Sequence, residues 1–186
     1  MASAITHFIV AAGLALPCAE FAALRPVLPR WAVPVTAGLF AVAPDLDTWA
    51  MMALDIPRGS LFSHRGFFHS PFFLALLALA VASLVARGRA VFLLAAVWAG
   101  AAITHPLLDM LTDGGSGVML FFPFSTERFF FPWRPIRVSP LSIARFFDRA
   151  GPILWSELPF CAAAALVGLA LRRITPRAGE PRPTRP

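Results

Sequence analysis

The sequence contains no lysine and no tyrosine, and charged residues of any kind are scarce. They make up 14% of the 186 positions, whereas a soluble domain averages about 25%. Hydrophobic residues account for 58% of the chain, and its mean hydropathy is +0.72. These values exclude an ordinary soluble domain and indicate a membrane protein.

Because lysine is missing, all sixteen basic residues are arginine, and they give a formal net charge of +6. Nucleic-acid binding would need a basic helix or a folded basic domain. The arginines are instead scattered between apolar runs, and short basic flanking loops are typical of membrane proteins. The composition therefore predicts the lipid bilayer as a partner and no nucleic acid.

Cysteine is almost absent as well. Cys18 and Cys161 lie far apart inside apolar runs and form no CxxC pair, which predicts buried free thiols. The N-terminal run has no Lys or Arg before Arg25, whereas a secretory signal peptide needs a positively charged start. We therefore predict that residues 1–24 are retained as a helix.

Long apolar runs are what the chain has in abundance. Runs of about 20 apolar residues cross a bilayer as helices, so the sequence predicts an all-α, polytopic membrane bundle of about four to five membrane helices. Pro44 should break the second run, and Ser70 followed by Pro71 should cap and begin the third. The five runs cover residues 5–24, 32–54, 71–86, 90–112 and 152–171.

These runs belong to one predicted membrane-embedded domain, residues 1–173. It includes a long polar-aromatic loop at 113–151, expected to lie at the membrane interface. A tail rich in Pro and Arg, residues 174–186, is predicted to be disordered. The arginines show a weak excess on the side of the tail, which favours a cytoplasmic tail and places the polar loops on the non-cytoplasmic face.

Histidine and aspartate are the residues that indicate chemistry. His105 and Asp109 are four positions apart, which puts their Cβ atoms about 5–6 Å apart on one helix face. A charged aspartate at the centre of a membrane helix costs about 2.5–3.5 kcal/mol, and no lysine is available to neutralise Asp45, Asp47 or Asp109. A divalent cation held by carboxylates and imidazoles would neutralise several of them at once.

Each of these signals has a structural alternative. His7 alone is more typical of a packed interface residue, and a His–Asp hydrogen bond also fits the spacing of His105 and Asp109. His64 and His69 would lie about 140° apart on an ideal helix, so they converge only if HRGFFHS is a loop, which Gly66 favours. Asp45 and Asp47 would point in opposite directions on a helix, so one could be a ligand and the other could support it.

Five stretches together resemble the YdjM family of multi-pass bacterial inner-membrane proteins. The stretches are THFIVAAG, PDLD, HRGFFHS, HPLLDMLTDGG and LFFPFS, in the expected order within residues 6–125. That family is described as metal-dependent hydrolases and is grouped with the all-helical zinc-dependent phospholipase C and nuclease superfamily. The resemblance implies six metal ligands: His7, Asp45, His64, His69, His105 and Asp109.

The resemblance departs from the phospholipases in one respect. Those relatives have further downstream histidine and glutamate ligands, whereas no histidine follows His105 here. Glu157 is the only late carboxylate expected at membrane level, and Asp113 is a second acid that the TDGGSG loop could bring near the site. One or two ions are therefore expected; zinc is favoured, and manganese or iron would also suit these donors.

The function implied is a membrane-bound, metal-dependent hydrolase that acts on a phosphoester of a lipid or lipid-linked substrate. Asp47 or Asp45 is expected to take a proton from the attacking water. Arg65 is expected to hold the phosphate, or alternatively to extend as a snorkelling side chain to the interface. Arg128 and Ser70 are further candidates for substrate binding.

Two other functions fit the same residues. A non-enzymatic membrane metal-binding or transport protein would also bury carboxylates and histidines, but with ligands spread through the membrane rather than gathered at one face. A polytopic scaffold would pair its polar residues internally and bind no metal. The sequence leaves open the substrate, the metal and the oligomeric state.

Overall fold

The computed structural model describes residues 1–140 and 143–176, without the side chains of 143 and 144. Over these residues the fold is all-α, as predicted; no strand forms there, and loop residues make two isolated β-bridges. The helices are α1 (Ala4–Ala15), α2 (Ala32–Val42), α3 (Asp47–Ala53), α4 (Pro71–Val85), α5 (Arg89–Met110) and α6 (Ile143–Ile174). From residue 177 onward, the predicted disordered tail lies outside the described residues.

Local sequence chemistry explains two of the helix boundaries. Pro44 interrupts the second apolar run as predicted: α2 stops at Val42, and a 3-10 turn, Ala43–Leu46, separates it from α3. Ser70 caps α4, accepting a hydrogen bond from the Phe73 backbone N–H at 3.2 Å, and Pro71 is the first helical residue. Both boundaries lie next to residues that carry predicted site chemistry.

The long polar-aromatic loop is shorter than predicted. α6 begins at Ile143, so residues 143–151 are helical rather than part of the loop. Pro152 and Pro159 both lie inside this helix. The first turns of α6 mix polar and aromatic residues and do not form an apolar run. The start of this helix therefore cannot be recognised from the apolar runs of the sequence.

The helices pack around α5, which contacts α1, α2 and α4, while α1 also packs on α2 and α6. Small residues such as Ala78 and Ala82 are fully buried and let the helices approach closely. Trp98 on α5 stacks on Phe40 and donates a hydrogen bond from Nε1 to the Thr36 hydroxyl at 3.0 Å. This arrangement brings the end of α5 and the starts of α1 and α4 to the same end of the bundle.

Among the described helices, α5 and α6 are long and apolar enough to cross a membrane. The 22 residues of α5 extend about 33 Å, against a hydrocarbon thickness of about 30 Å. Large apolar side chains point outward from the bundle: Leu84 is 79% exposed, Phe92 71% and Leu166 67%. Such a surface is unfavourable in water and suits contact with lipid.

Two glycines set the distance between α1 and α6. A Cβ atom added at Gly168 would overlap the carbonyl oxygen of Gly13. We expect Gly168→Ala to lower the apparent unfolding temperature in detergent by about 2–10 °C, because overpacking costs about 1–3 kcal/mol. Gly100→Ala on α5 is the matched control, since a Cβ there meets nothing within 4 Å. Equal shifts in the two variants would contradict the close contact.

Candidate metal centre

The six ligands implied by the resemblance come from separate parts of the chain and meet at one end of the bundle. α1 provides His7, the 3-10 turn after α2 provides Asp45, the loop before α4 provides His64 and His69, and the end of α5 provides His105 and Asp109. All are buried except His64, which is half-buried. The structure therefore brings together all six of these residues.

The HRGFFHS segment is a loop, as its two histidines require. Gly66 permits its tight turn, because a Cβ there would overlap the carbonyl oxygen of Leu61. A short 3-10 turn, Phe67–His69, follows and returns the chain toward the cluster. The rings of His64 and His69 consequently lie 4.9 Å apart, edge to face.

Acceptor oxygens beside the outer nitrogens orient two of the imidazoles, through a hydrogen bond at His105 and through an ion-pair contact at His69. His105 Nδ1 lies 2.6 Å from the carbonyl oxygen of Ala41, and His69 Nδ1 lies 3.1 Å from Asp47 Oδ2. Because both partners only accept hydrogen bonds, each Nδ1 carries the proton. In the neutral rings each Nε2 is then a lone-pair donor, and these two Nε2 atoms are only 3.1 Å apart.

Two carboxylates face the same pair of nitrogens. Asp45 Oδ1 lies 3.3 Å from His105 Nε2 and 3.9 Å from His69 Nε2. Asp109 Oδ2 lies 3.8 and 4.0 Å from the same two atoms. Lone pairs and negative charge so close together repel each other unless a proton or a metal cation lies among them.

A metal ion fits this donor set. Bonds of about 2.2 Å place ligand atoms on one ion no more than about 4.4 Å apart, and imidazole nitrogen with carboxylate oxygen is a zinc-type combination. Three overlapping groups of buried or half-buried residues could each hold an ion. They are His7 with Asp45 and His105, Asp45 with His64 and His69, and His69 with His105 and Asp109.

Buried polar atoms without partners support the same conclusion. Both nitrogens of His7, both oxygens of Asp45 and Nε2 of His64 have no hydrogen-bond partner among the described residues. Burying such groups unsatisfied is costly, and a cation would satisfy them. His7 is also stacked on His105, with ring centroids 3.6 Å apart.

Asp47 faces the outer nitrogens of the cluster rather than its centre. Its Oδ1 lies 2.9 Å from His64 Nδ1, in addition to the contact with His69 Nδ1. Carboxylates in this position orient metal-binding imidazoles. The break at Pro44 allows Asp45 and Asp47 to face the cluster together, because Asp45 lies in a 3-10 turn and Asp47 begins α3.

Protonation of the two loop histidines differs in the metal-free chain. Burial lowers the pKa of His64, and its hydrogen bond with Asp47 opposes that shift. Burial also disfavours the charged form of His69, but Asp45 and Asp47 outweigh it and raise its pKa to about 9. A proton on His69 therefore occupies the position of the cation when no metal is bound.

Arg65 is buried and forms an ion pair with Asp109. It is 1% exposed, and its Nε donates to Asp109 Oδ2 at 2.9 Å. Nη2 donates to the Thr112 hydroxyl at 2.8 Å and Nη1 to the Gly114 carbonyl at 2.9 Å. The alternative of a side chain that snorkels to the interface is therefore wrong, because the counter-charge of Asp109 holds the guanidinium inside. Its predicted phosphate contact stays a prediction.

The other candidates have different surroundings. Ser70 is fully buried, and its hydroxyl donates to the Phe67 carbonyl as well as capping α4, which argues against the predicted contact with substrate. Arg128 donates to the Ser60 carbonyl and to the Ser63 hydroxyl, both at 3.0 Å. It thereby fixes the loop that carries His64, and its substrate role stays a prediction.

Neither late acid joins the cluster. Glu157 on α6 accepts hydrogen bonds from the hydroxyls of Ser3 and Thr6 at 2.6 and 2.8 Å, so it ties α6 to the start of α1. Asp113 accepts one from the Val138 backbone N–H at 2.8 Å. Among the described residues, neither belongs to a group that could hold an ion.

Sequence reasoning missed several partners of the cluster. The Ala41 carbonyl orients His105 but has no side-chain signature. Thr112 bonds Arg65 and lies three residues after Asp109, a spacing visible in HPLLDMLT. The hydroxyl of Thr48 lies 3.2 Å from His64 Nδ1, and it directly follows the PDLD stretch.

Two grooves open beside the cluster. One, of about 400 Å³, is lined by His64 and Arg65 together with the exposed arginines Arg58 and Arg149. The other, of about 280 Å³, is lined by Asp45 and by aromatic residues that include Trp49 and Phe147. The same three residues, Met1, Ser139 and Pro140, line both grooves. The cluster thus has an arginine-lined groove on one side and an apolar groove on another.

These features define a class: an all-α membrane protein with a buried His/Asp cluster that could hold a metal ion. The comparisons name the family. The model of the YdjM inner membrane protein family matches residues 1–175, and the chain belongs to that family. It is 33% identical over 132 residues to the inner membrane protein YbcI of Escherichia coli (strain K12), covering 65% of this chain and 74% of YbcI. No solved structure matches the chain significantly.

Proposed function

We propose that this inner membrane protein is a metal-dependent hydrolase that cleaves a phosphoester of a lipid or lipid-linked substrate. The observation that carries the proposal is the convergence of His69 Nε2, His105 Nε2 and two carboxylates, a donor set that a divalent cation would satisfy. Zinc is the proposed metal, as one or two ions, held by the six residues of the cluster. A divalent ion there supplies Lewis acidity and lowers the pKa of water.

The residues around the cluster divide the remaining tasks. Asp47 is a positioning residue, because it keeps the protons of His64 and His69 on Nδ1 and leaves each Nε2 available. Asp45 lines the apolar groove, and neither of its oxygens has a hydrogen-bond partner among the described residues. With one oxygen on the ion, Asp45 would keep the other free, so it is better placed than Asp47 to accept a proton from an attacking water. Arg65 holds Asp109 in place through a buried ion pair.

The two grooves suit an amphiphilic substrate. A phosphate would be attracted by Arg58 and Arg149 in the arginine-lined groove, while an apolar chain would pack on Trp49 and Phe147, which are 63% and 72% exposed. An ester bond between the two parts would then lie beside the cluster. The exposed aromatic side chains favour a substrate drawn from the membrane surface.

We propose that the chain crosses the membrane with four to five helices. The shorter apolar segments Ala4–Glu20 and Pro71–Val85 would accompany α5 and α6. The short connections at the end remote from the cluster are arginine-rich, with Arg25, Arg30, Arg87 and Arg89. By the positive-inside rule that end faces the cytoplasm and the cluster faces the opposite side.

Hydrolysis can be tested with metal-stripped protein reloaded with zinc or manganese. We expect release of the phosphorylated headgroup from phospholipids in mixed micelles, dependent on the added metal. Asp47→Asn should lower this activity about 10–100-fold, because it removes the orienting carboxylate. Asp55→Asn, at an exposed acid just after α3, is the matched control and should leave the activity unchanged.

The transport alternative predicts a different result. A transporter would distribute its ligands along a path through the membrane, whereas these six residues gather at one end of the bundle. Metal uptake into proteoliposomes without any metal-dependent hydrolysis would favour transport and contradict the proposed activity.

A further inference from the structure

We propose that the end of the bundle remote from the metal centre binds the phosphate headgroup of an anionic phospholipid. The site is formed by Arg25, Arg30 and Arg172 around the buried carboxylate of Glu20. It is separate from the metal centre and does not depend on the proposed hydrolase activity.

The three arginines lie at different distances from the carboxylate of Glu20. Its side chain is 1% exposed and lies in the 3-10 turn that follows α1. Arg172 on α6 donates from Nε to Glu20 Oε1 at 3.0 Å, a normal hydrogen bond. Arg30 and Arg25 approach Oε2 only to 3.6 and 3.9 Å, beyond hydrogen-bond length. These two guanidiniums are attracted to the carboxylate without being fixed by it.

The charges at this end do not balance. Three guanidiniums surround one carboxylate, and their side chains are between 34% and 46% exposed. Arg87, Arg89 and Arg173 lie at the same end, where Glu20 is the sole acidic residue in the part of the chain that the structure describes. A phosphate can accept several N–H donors from arginines at once, so it complements this excess of positive charge.

A groove next to these arginines supplies an apolar surface. It has a volume of about 420 Å³ and is lined by Leu16, Ala19, Arg30, Trp31, Pro34 and Arg172. Trp31 is 70% exposed at its rim, and exposed tryptophan is typical of the membrane interface. Guanidiniums beside an apolar floor favour a phospholipid, whose chains would cover the floor, over free phosphate. Basic pockets between membrane helices bind acidic headgroups in this way.

A purely structural role would not require this arrangement. The bond between Arg172 and Glu20 already ties the C-terminal part of α6 to the turn after α1. Arg25 and Arg30 add no hydrogen bond to that tie, yet both place their charge beside the same carboxylate. Their contribution is therefore to the electrostatic potential of the groove, which an anionic headgroup would experience.

The test compares lipids on the full chain purified in detergent. Binding of short-chain phosphatidylglycerol and phosphatidylcholine is measured by native mass spectrometry and by titration. We expect clearly tighter binding of phosphatidylglycerol, and about 30-fold weaker binding in the Arg25→Gln, Arg30→Gln variant, because each arginine near a membrane surface contributes to acidic-lipid binding. This variant keeps the Arg172–Glu20 hydrogen bond, so it should fold.

The matched control is Arg87→Gln, Arg89→Gln, which removes the same charge from the same end outside the groove, and it should change the affinity less than about threefold. The metal-site variant His105→Ala, Asp109→Ala should bind phosphatidylglycerol normally, which separates this site from the proposed hydrolase. Equal losses in both arginine variants would overturn the proposal, as would equal affinity for the two lipids on the unaltered chain. Inorganic phosphate that binds as tightly as phosphatidylglycerol would also overturn it.

Discussion

Replacing His105 and Asp109 by alanine should remove most of the metal from the purified protein. We expect the unaltered chain to hold one or two equivalents of zinc or manganese after reconstitution, and the double variant to lose most of this metal, because only three of the six ligands would remain as a group. His105 belongs to two of the three groups that could bind an ion, and Asp109 belongs to one of the same two. The remaining group, Asp45 with His64 and His69, contains neither residue but shares Asp45 and His69 with the other two groups. Elemental analysis of detergent-purified protein measures this directly.

The control for this experiment must also remove a carboxylate. Asp148→Ala serves, because Asp148 is exposed on α6 and belongs to no group that could hold an ion among the described residues. It should retain the full metal content. An unaltered chain that binds no metal after exposure to zinc, manganese and iron would contradict the assignment of these residues as metal ligands. HRGFFHS would then be no more than a loop that leads to a capped helix.

The features that could be predicted from the sequence are those fixed by local chemistry. Ser70 and Pro71 begin α4, and Pro44 interrupts the second apolar run, because a hydroxyl cap and a missing N–H act within one or two turns. The spacing of His105 and Asp109 places them on one face of α5 for the same reason. These short-range rules place the candidate ligands at the ends of helices, but they do not bring the helices together.

The features that could not be predicted depend on contacts between distant positions. The role of Arg65 is set by Asp109, 44 residues away, and that of Glu157 by Ser3 and Thr6, more than 150 residues away. A backbone carbonyl at Ala41 orients His105 but has no sequence signature. Burial of an arginine runs against its usual exposure, and neither of the two predicted roles of Arg65, a phosphate contact or an interfacial side chain, includes an ion pair with Asp109.

Breaking the buried ion pair between Arg65 and Asp109 should cause the second large effect, a loss of stability. Arg65→Gln should destabilise the metal-free protein by about 3–5 kcal/mol, since removing one partner leaves a buried charge uncompensated. In a chain of this size that corresponds to a fall of about 6–20 °C in the apparent Tm. Asp109 also accepts a hydrogen bond on Oδ1 from the Ala2 N–H at 2.8 Å, and His7 Nε2 lies 3.5 Å from the same oxygen. The amino group of Met1 is a further positive charge nearby.

Bound metal should reduce this loss. A cation beside Asp109 would neutralise the carboxylate that Arg65 otherwise compensates, and a ligand that binds the folded state alone also stabilises it. Thermal unfolding of both proteins, with and without zinc, should therefore show a smaller difference between them when zinc is present. Arg58→Gln, at an exposed arginine in the same loop as Arg65, should change the Tm little in either condition. If the difference between the Arg65 variant and the unaltered chain were the same with and without zinc, Asp109 would not be a ligand, and the ion pair would be structural alone.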